Sequence, residues 1–271
     1  MSIARPDDRL TLVEHLEELR SRLFVGAAAL VVGVVVAAIC NKLIFHLLLL
    51  PLDQSGIPAS ARKMTTFGPA EPFMVSFKIW VYAGIVLASP VLIYEFWAFV
   101  APAFAPTEKK YLYPIVAACT GLFLGGVVFG YLLVLPRGLQ FLLGFNDSYF
   151  NVQNRATDYL TFSATFLLAF GAVFEMPVII VLATRLGIVS TKWLRKNRKY
   201  AILVNAVIAT VATPSQDAFS MLAMFFPLVA LYEISIVVAR LVEPKEELSE
   251  GDETNLSGGP PDGGGFGEAP A

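Results

Sequence analysis

The stretch Glu14-His15-Leu16-Glu17-Glu18-Leu19-Arg20-Ser21-Arg22-Leu23 runs without a break into an apolar segment over residues 24–40. At helical spacing Leu12, Leu16, Leu19 and Leu23 form one apolar stripe, and Glu14, Glu17, Glu18, Arg20 and Arg22 take the other positions. Such a helix lies at a membrane surface and presents fixed charges there. A membrane span is served by basic flanks. Acids in its last turns of approach ask for a cationic partner.

Composition points the same way. The chain has 271 residues, 56% hydrophobic and 15% charged, where soluble domains carry about 25% charged residues. The deficit says polytopic membrane protein rather than soluble enzyme. A net charge of −2 gives no global field for nucleic acid. Cys40 and Cys119 both sit in apolar runs and read as small core residues, not as a disulfide framework. The first apolar run follows a charged helix and has no small-residue cleavage site at a signal-peptide distance, so it reads as a retained span.

Crossing hydrocarbon takes about 20 apolar residues in a helix. Six candidates follow, over residues 23–40, 79–100, 111–135, 159–186, 200–213 and 219–241. The fifth is short, so the bilayer thins there or the fifth and sixth form a shallow hairpin. The expected class is all-α, a polytopic bundle of six transmembrane helices. Pro90, Pro114, Pro177 and Pro227 fall inside spans and predict a kinked, concave bundle. Three regions are expected: a cytoplasmic amphipathic segment over 1–22, the membrane domain over 23–241, and an acidic, Gly- and Pro-rich disordered tail over 242–271.

Lys and Arg crowd the N-terminal segment, the 101–110 connection, the 185–199 connection and the end of the sixth span. That asymmetry predicts both termini in the cytoplasm. The run Lys192-Trp193-Leu194-Arg195-Lys196-Asn197-Arg198-Lys199 reads as a topology determinant and lipid anchor. The long outer loop over 46–75 is Pro-rich, and its run over 47–50 is expected to dock at the outer interface.

Two crossings separate Glu18 from Glu108, which places both on the cytoplasmic face. Paired carboxylates there suit a guanidinium ligand, because Arg meets a carboxylate in a planar fork. The alternative is local: Glu18 pairs with Arg22 at i,i+4 and Glu108 balances Lys109. Glu175 lies in mid-span within Phe174-Glu175-Met176-Pro177, where a carboxylate is costly and functional by default. Its alternative role is to bond carbonyls freed by Pro177. Glu95 and Glu233 lie nearer span ends, where interfacial water serves them. No Gly-rich phosphate loop marks an ATPase. His15 and His46 fall on opposite sides, so no catalytic or metal-binding constellation is visible, and nothing calls for a cofactor.

These residues resemble the TatC family, the receptor subunits of twin-arginine protein translocases. The likeness rests on His15-Leu16-Glu17-Glu18-Leu19-Arg20-Ser21-Arg22, on Trp97-Ala98-Phe99-Val100-Ala101-Pro102-Ala103-Phe104 with Glu108-Lys109-Lys110, on Phe170-Gly171 with Phe174-Glu175-Met176-Pro177, and on Thr213-Pro214 with Asp217. The motifs occur in order over residues 12–241. The resemblance implies a concave six-helix bundle in a bacterial-type inner membrane that accepts signal peptides bearing two arginines. By the same resemblance Glu18 and Glu108 receive those arginines, with Arg20 and Phe99 beside them. Pro51 matches the family's proline in the first outer loop. Glu175 is the implied intramembrane polar residue, and Thr213 and Asp217 belong to the implied partner-facing turn. Implied partners are TatA-like and TatB-like single-span proteins and further copies of the chain, and the implied energy source is the proton-motive force. The competing expectations are a small-solute secondary transporter with Glu175 as proton carrier, and a purely structural membrane scaffold.

Overall fold

A computed structural model describes residues 12–54, 64–100, 112–145, 154–214 and 217–242. The segments expected as the Glu108 loop and the acidic tail lie outside these residues. Among the described residues the regular structure is helical, apart from one short strand pairing. Helix α1 (Leu12–Ile39) passes without interruption from the charged stretch into the first apolar run. It is followed by α2 (Asn41–Gln54), strand β1 (Met64–Thr65) and α3 (Glu71–Val100). Next come α4 (Leu112–Phe129), a π-helical turn (Gly130–Val134) and α5 (Leu135–Gly144), which form one continuous rod. Strand β2 (Asn154–Arg155) precedes α6 (Ala156–Val173), α7 (Met176–Arg185) and the short α8 (Thr191–Lys196). Helices α9 (Arg198–Ala212) and α10 (Ala218–Val242) complete the described chain.

Among the described residues five stretches are long and apolar enough to cross a membrane: His15–Ile39, Glu71–Val100, Tyr113–Gly144, Ala156–Arg185 and Ala218–Val242. These match five of the six expected spans. Helix α9 is the short one, with 15 residues. It spans about 22 Å at 1.5 Å per residue, less than the ~30 Å hydrocarbon core.

The prolines act unequally. Pro90 and Pro227 sit within unbroken α3 and α10. Pro177 splits the fourth span: α6 ends at Val173, Phe174 and Glu175 turn, and α7 restarts at Met176. Pro114 is not an interior kink. It stands in the first turn of α4, where its missing N–H has no intrahelical partner to lose. Pro136 lies at the start of α5, directly after the π-helical turn. A proline clashes with the carbonyl one turn back, and the wider turn accommodates it.

The expected outer loop contains a helix. In α2 Leu48, Pro51 and Leu52 are buried in the bundle rather than laid on an interface. Tyr159 Oη donates to Leu48 O at 2.7 Å, and Tyr131 Oη donates to Leu47 O at 2.7 Å. At the same end β1 pairs in parallel with β2, Met64 opposite Asn154 and Thr65 opposite Arg155. Glu71 fastens this pairing. Its carboxylate accepts Arg155 Nε–H at 2.7 Å, Thr157 Oγ1–H at 2.5 Å and Phe67 N–H at 2.8 Å. Donating to the Glu71 carboxylate raises the pKa of the Arg155 guanidinium above its ordinary value. Of the two cysteines, Cys119 is buried as expected, but Cys40 is exposed on the helical surface.

Close packing depends on glycine. A Cβ at Gly33 would stand 2.6 Å from Gly84 O, and one at Gly84 would stand 2.8 Å from Val34 N. Helices α1 and α3 therefore meet backbone to backbone, as small residues allow in lipid. Helices α4 and α6 use the same device with aromatic rings: a Cβ at Gly126 would lie 2.6 Å from Phe170 O, and one at Gly171 would lie 2.8 Å from the Phe123 ring.

Gly84→Val tests the first contact. Its branched side chain meets backbone, which cannot yield as a flexible side chain can. The expected cost is about 1–3 kcal/mol, the usual range for overpacking. Thermal unfolding of the purified protein in detergent should show a lower midpoint. An unchanged midpoint would contradict the contact.

Candidate functional site

The first part of the site forms where α1 and α3 run past each other in opposite directions. Eleven residues back along α1 from Gly33 is Arg22, and eleven residues on along α3 from Gly84 is Glu95. Each travels about 16 Å from the glycine contact, so the two side chains arrive opposite one another. Arg22 Nη1 donates to Glu95 Oε2 at 3.1 Å. Arg22 also donates from Nε and Nη2 to Glu18 Oε1, at 3.0 and 2.6 Å. The Glu18 and Glu95 side chains are 27% and 16% exposed, so the cluster is sheltered yet open on one side. Two carboxylates share one guanidinium, which leaves a net negative charge.

Other expected residues stand nearby. Phe99 stacks on His15 with ring centroids 4.5 Å apart and an 18° interplanar angle. Arg20 points elsewhere, its guanidinium 5.7 Å from the centre of the Phe24 ring. Below the carboxylates a groove of about 360 Å³ opens between the two helices, lined by Gly26, Leu30, Leu92 and Phe96 together with Arg22 and Glu95. An acidic mouth over an apolar groove suits a segment that is cationic at one end and apolar beyond. The local pairing of Glu18 with Arg22 is present, as one reading of the sequence held. It coexists with a second carboxylate partner of Arg22, Glu95, on a different span.

Glu175 forms a separate polar point within the membrane. The Cys119 thiol stands against the Glu175 carboxyl, and the Cys119 sulfur accepts Trp97 Nε1–H at 3.1 Å. Glu175 Oε1 is enclosed without a hydrogen-bond partner among the described residues. This chain joins α3, α4 and the break between α6 and α7. It differs from the alternative reading, in which the Glu175 side chain bonds carbonyls freed by Pro177. Thr213 and Asp217 have local roles at the α9–α10 turn. Thr213 Oγ1 donates to Ala209 O at 3.0 Å, and Asp217 Oδ1 accepts Ser220 N–H at 2.7 Å, capping α10. Glu233 is paired by Arg198 Nη2 at 2.7 Å on the exposed surface.

Sequence reasoning undervalued Glu95, His15 and the Trp97–Cys119 pair. Glu95 carried a usable signal, because an acid near a span end that stays partly buried needs a cation. Glu108 falls outside the described residues.

The fold and the site define a class: a multi-pass α-helical membrane protein with an acidic mouth between its first two long spans and a buried carboxyl at a broken helix. The comparisons fall within that class. The family model for Sec-independent protein translocase protein (TatC) matches residues 14–227. Proteins of that name from Carboxydothermus hydrogenoformans and Desulforapulum autotrophicum are 37% and 39% identical over 244 and 248 residues. These alignments cover 90% and 92% of this chain and 98% and 91% of theirs. The crystal structure of the twin-arginine translocase receptor TatC superposes with a TM-score of 0.74 at 34% identity, over 84% of this chain and 99% of that one. The chain belongs to the TatC family.

Glu175 divides two roles. If it offers polarity to a partner helix, Glu175→Gln should retain partial export, since Gln keeps size and hydrogen bonding, while Glu175→Ala should lose most of it. Both variants should bind a twin-arginine peptide normally, because the mouth between α1 and α3 does not use Glu175. Peptide and partner crosslinking on the two variants checks this. Equal, complete loss of export in both would assign a proton-carrying role instead.

Proposed function

We propose that this chain is the signal-peptide receptor and core scaffold of a twin-arginine translocase that exports folded proteins at the expense of the proton-motive force. The observation that carries the reading is the Glu18–Arg22–Glu95 cluster: two carboxylates from different spans, one guanidinium between them, and a net negative charge at a sheltered mouth. A second guanidinium completes its charge balance, and an arginine fits the planar geometry of a carboxylate better than a lysine does. Phe99 stacked on His15 bounds the same mouth. Glu108 is proposed to act with Glu18 from the 101–111 connection, and Arg20 to act from the outer face of α1.

The proposed setting is a bacterial-type inner membrane with both termini in the cytoplasm, in keeping with the Lys and Arg asymmetry of the loops. The proposed partners are TatA-like and TatB-like single-span proteins and further copies of this chain within a receptor complex. Glu175 and the turn from Thr213 to Asp217 are the polar positions offered to a partner span. The transporter reading gains no support from the family relation.

Glu18→Gln and Glu108→Gln test the receptor reading. Each should weaken binding of a twin-arginine peptide by about 1.5–3 kcal/mol, the scale of a hydrogen bond to a charged group, or one to two decades in affinity. Titration of labelled peptide into purified protein measures it. Unchanged affinity in both variants, with export intact, would sink the reading.

A further inference from the structure

We propose that Arg22 is a resident competitor for the Glu18 carboxylate, and that this competition sets the preference of the site for an incoming guanidinium over an ammonium. The inference rests on the reading of Glu18 as an arginine-binding residue and adds to it a specificity-determining role for Arg22 and a holding role for Glu95.

The geometry supplies the argument. Arg22 is committed through all three of its nitrogens: Nε and Nη2 donate to Glu18 and Nη1 to Glu95. Yet both bonds to Glu18 fall on Oε1, and the bond to Glu95 falls on Oε2. Arg22 therefore grips one oxygen of each carboxylate. An arriving side chain approaches the remaining oxygen of a Glu18 side chain that is 27% exposed. It meets an attractive net charge on a carboxylate whose other oxygen already accepts from two donors.

An arriving guanidinium presents two parallel N–H groups, which can span both Glu18 oxygens and displace Arg22. An ammonium is a compact, strongly hydrated point charge without that fork. It gains less from one partly engaged carboxylate and loses its hydration. Glu95 completes the device. It comes from the other helix, and its side chain is only 16% exposed. When Glu18 is taken, Arg22 keeps the Glu95 bond instead of being left as an unpaired charge against the apolar groove, where isolation is costly.

A merely structural Arg22, tying α1 to α3, makes a different forecast. Its removal would lower stability and weaken all ligands alike. A competitor's removal strengthens binding and flattens selectivity. The experiment uses the full chain in lipid nanodiscs and two labelled peptides that differ only in Arg-Arg or Lys-Lys. Arg22→Gln should raise affinity for the Arg-Arg peptide about twofold to fivefold, the scale of one partly exposed ion pair. Affinity for the Lys-Lys peptide should rise further, so the ratio between them narrows. Arg22→Lys keeps the positive charge and the fold but weakens the competitor's fork, and it should narrow the ratio to a smaller extent. If Arg22→Gln lowers the melting temperature, Arg22→Lys decides the question alone. An unchanged ratio, or weaker Arg-Arg binding, in a well-folded variant overturns the proposal. Glu18→Gln that leaves Arg-Arg binding intact instead overturns the reading of Glu18 as an arginine-binding residue beneath it.

Discussion

Contact between Gly33 and Gly84 fixes how the first two long spans lie against each other, and much of the molecule follows from it. With no Cβ on either residue, α1 and α3 approach until backbone touches backbone. In lipid, where apolar side chains gain little by leaving one apolar medium for another, such close approach is a main source of helix association. The contact also fixes register. Antiparallel helices that start level at the glycines stay level eleven residues later, and that is where Arg22 and Glu95 stand. The other end of the seam is held by Trp80 Nε1, which donates to Asn41 Oδ1 at 2.8 Å. A slip of one residue would turn a side chain about 100° around the helix and would leave Glu95 a buried acid without its cation.

The second half of the bundle is irregular by construction. Phe170 packs on Phe129 and Phe166, with centroids 6.0 and 4.9 Å away, and fills the space that Gly130 leaves open, while Phe174 fills that at Gly126. Next to this aromatic cluster the fourth span breaks at Phe174 and Glu175, and the third widens into a π-helical turn at Gly130–Val134. Unbroken helices hide their polar backbone and leave no polar point in the membrane. A break supported by neighbouring helices creates one, with free backbone groups satisfied locally. The carboxyl of Glu175 sits at that break, joined to Cys119 and through it to Trp97. Irregularity and the intramembrane site thus have the same origin.

Much of this was legible in the sequence. Runs of apolar residues gave the spans, because the hydrocarbon thickness imposes a length that composition alone reveals. The short α9 was legible for the same reason. Glu18, Phe99 and Glu175 were singled out by position and motif. The partnership of Glu18 and Arg22 with Glu95 was not legible. It joins residues 73 apart in sequence, and nothing local sets the register between their helices. Helix α2 was hidden by Pro51, which reads as a loop signal but is tolerated where its ring packs into the core. Pro114 was misread because proline's effect depends on its distance from the helix start, and apolar runs place that start only loosely. The Trp97–Cys119–Glu175 chain needs three helices in place before its members meet.

The central claim is that a twin-arginine segment docks at the mouth between α1 and α3, on Glu18. Site-specific photocrosslinking tests it most directly. A photoreactive residue placed next to the two arginines of a signal peptide should mark α1 around Glu18 and α3 around Phe99. Unlabelled Arg-Arg peptide should suppress those crosslinks, and Lys-Lys peptide should not. Crosslinks that map instead to the opposite end of the bundle, around Glu71 and Arg155, or that persist under Arg-Arg competition, would contradict the account.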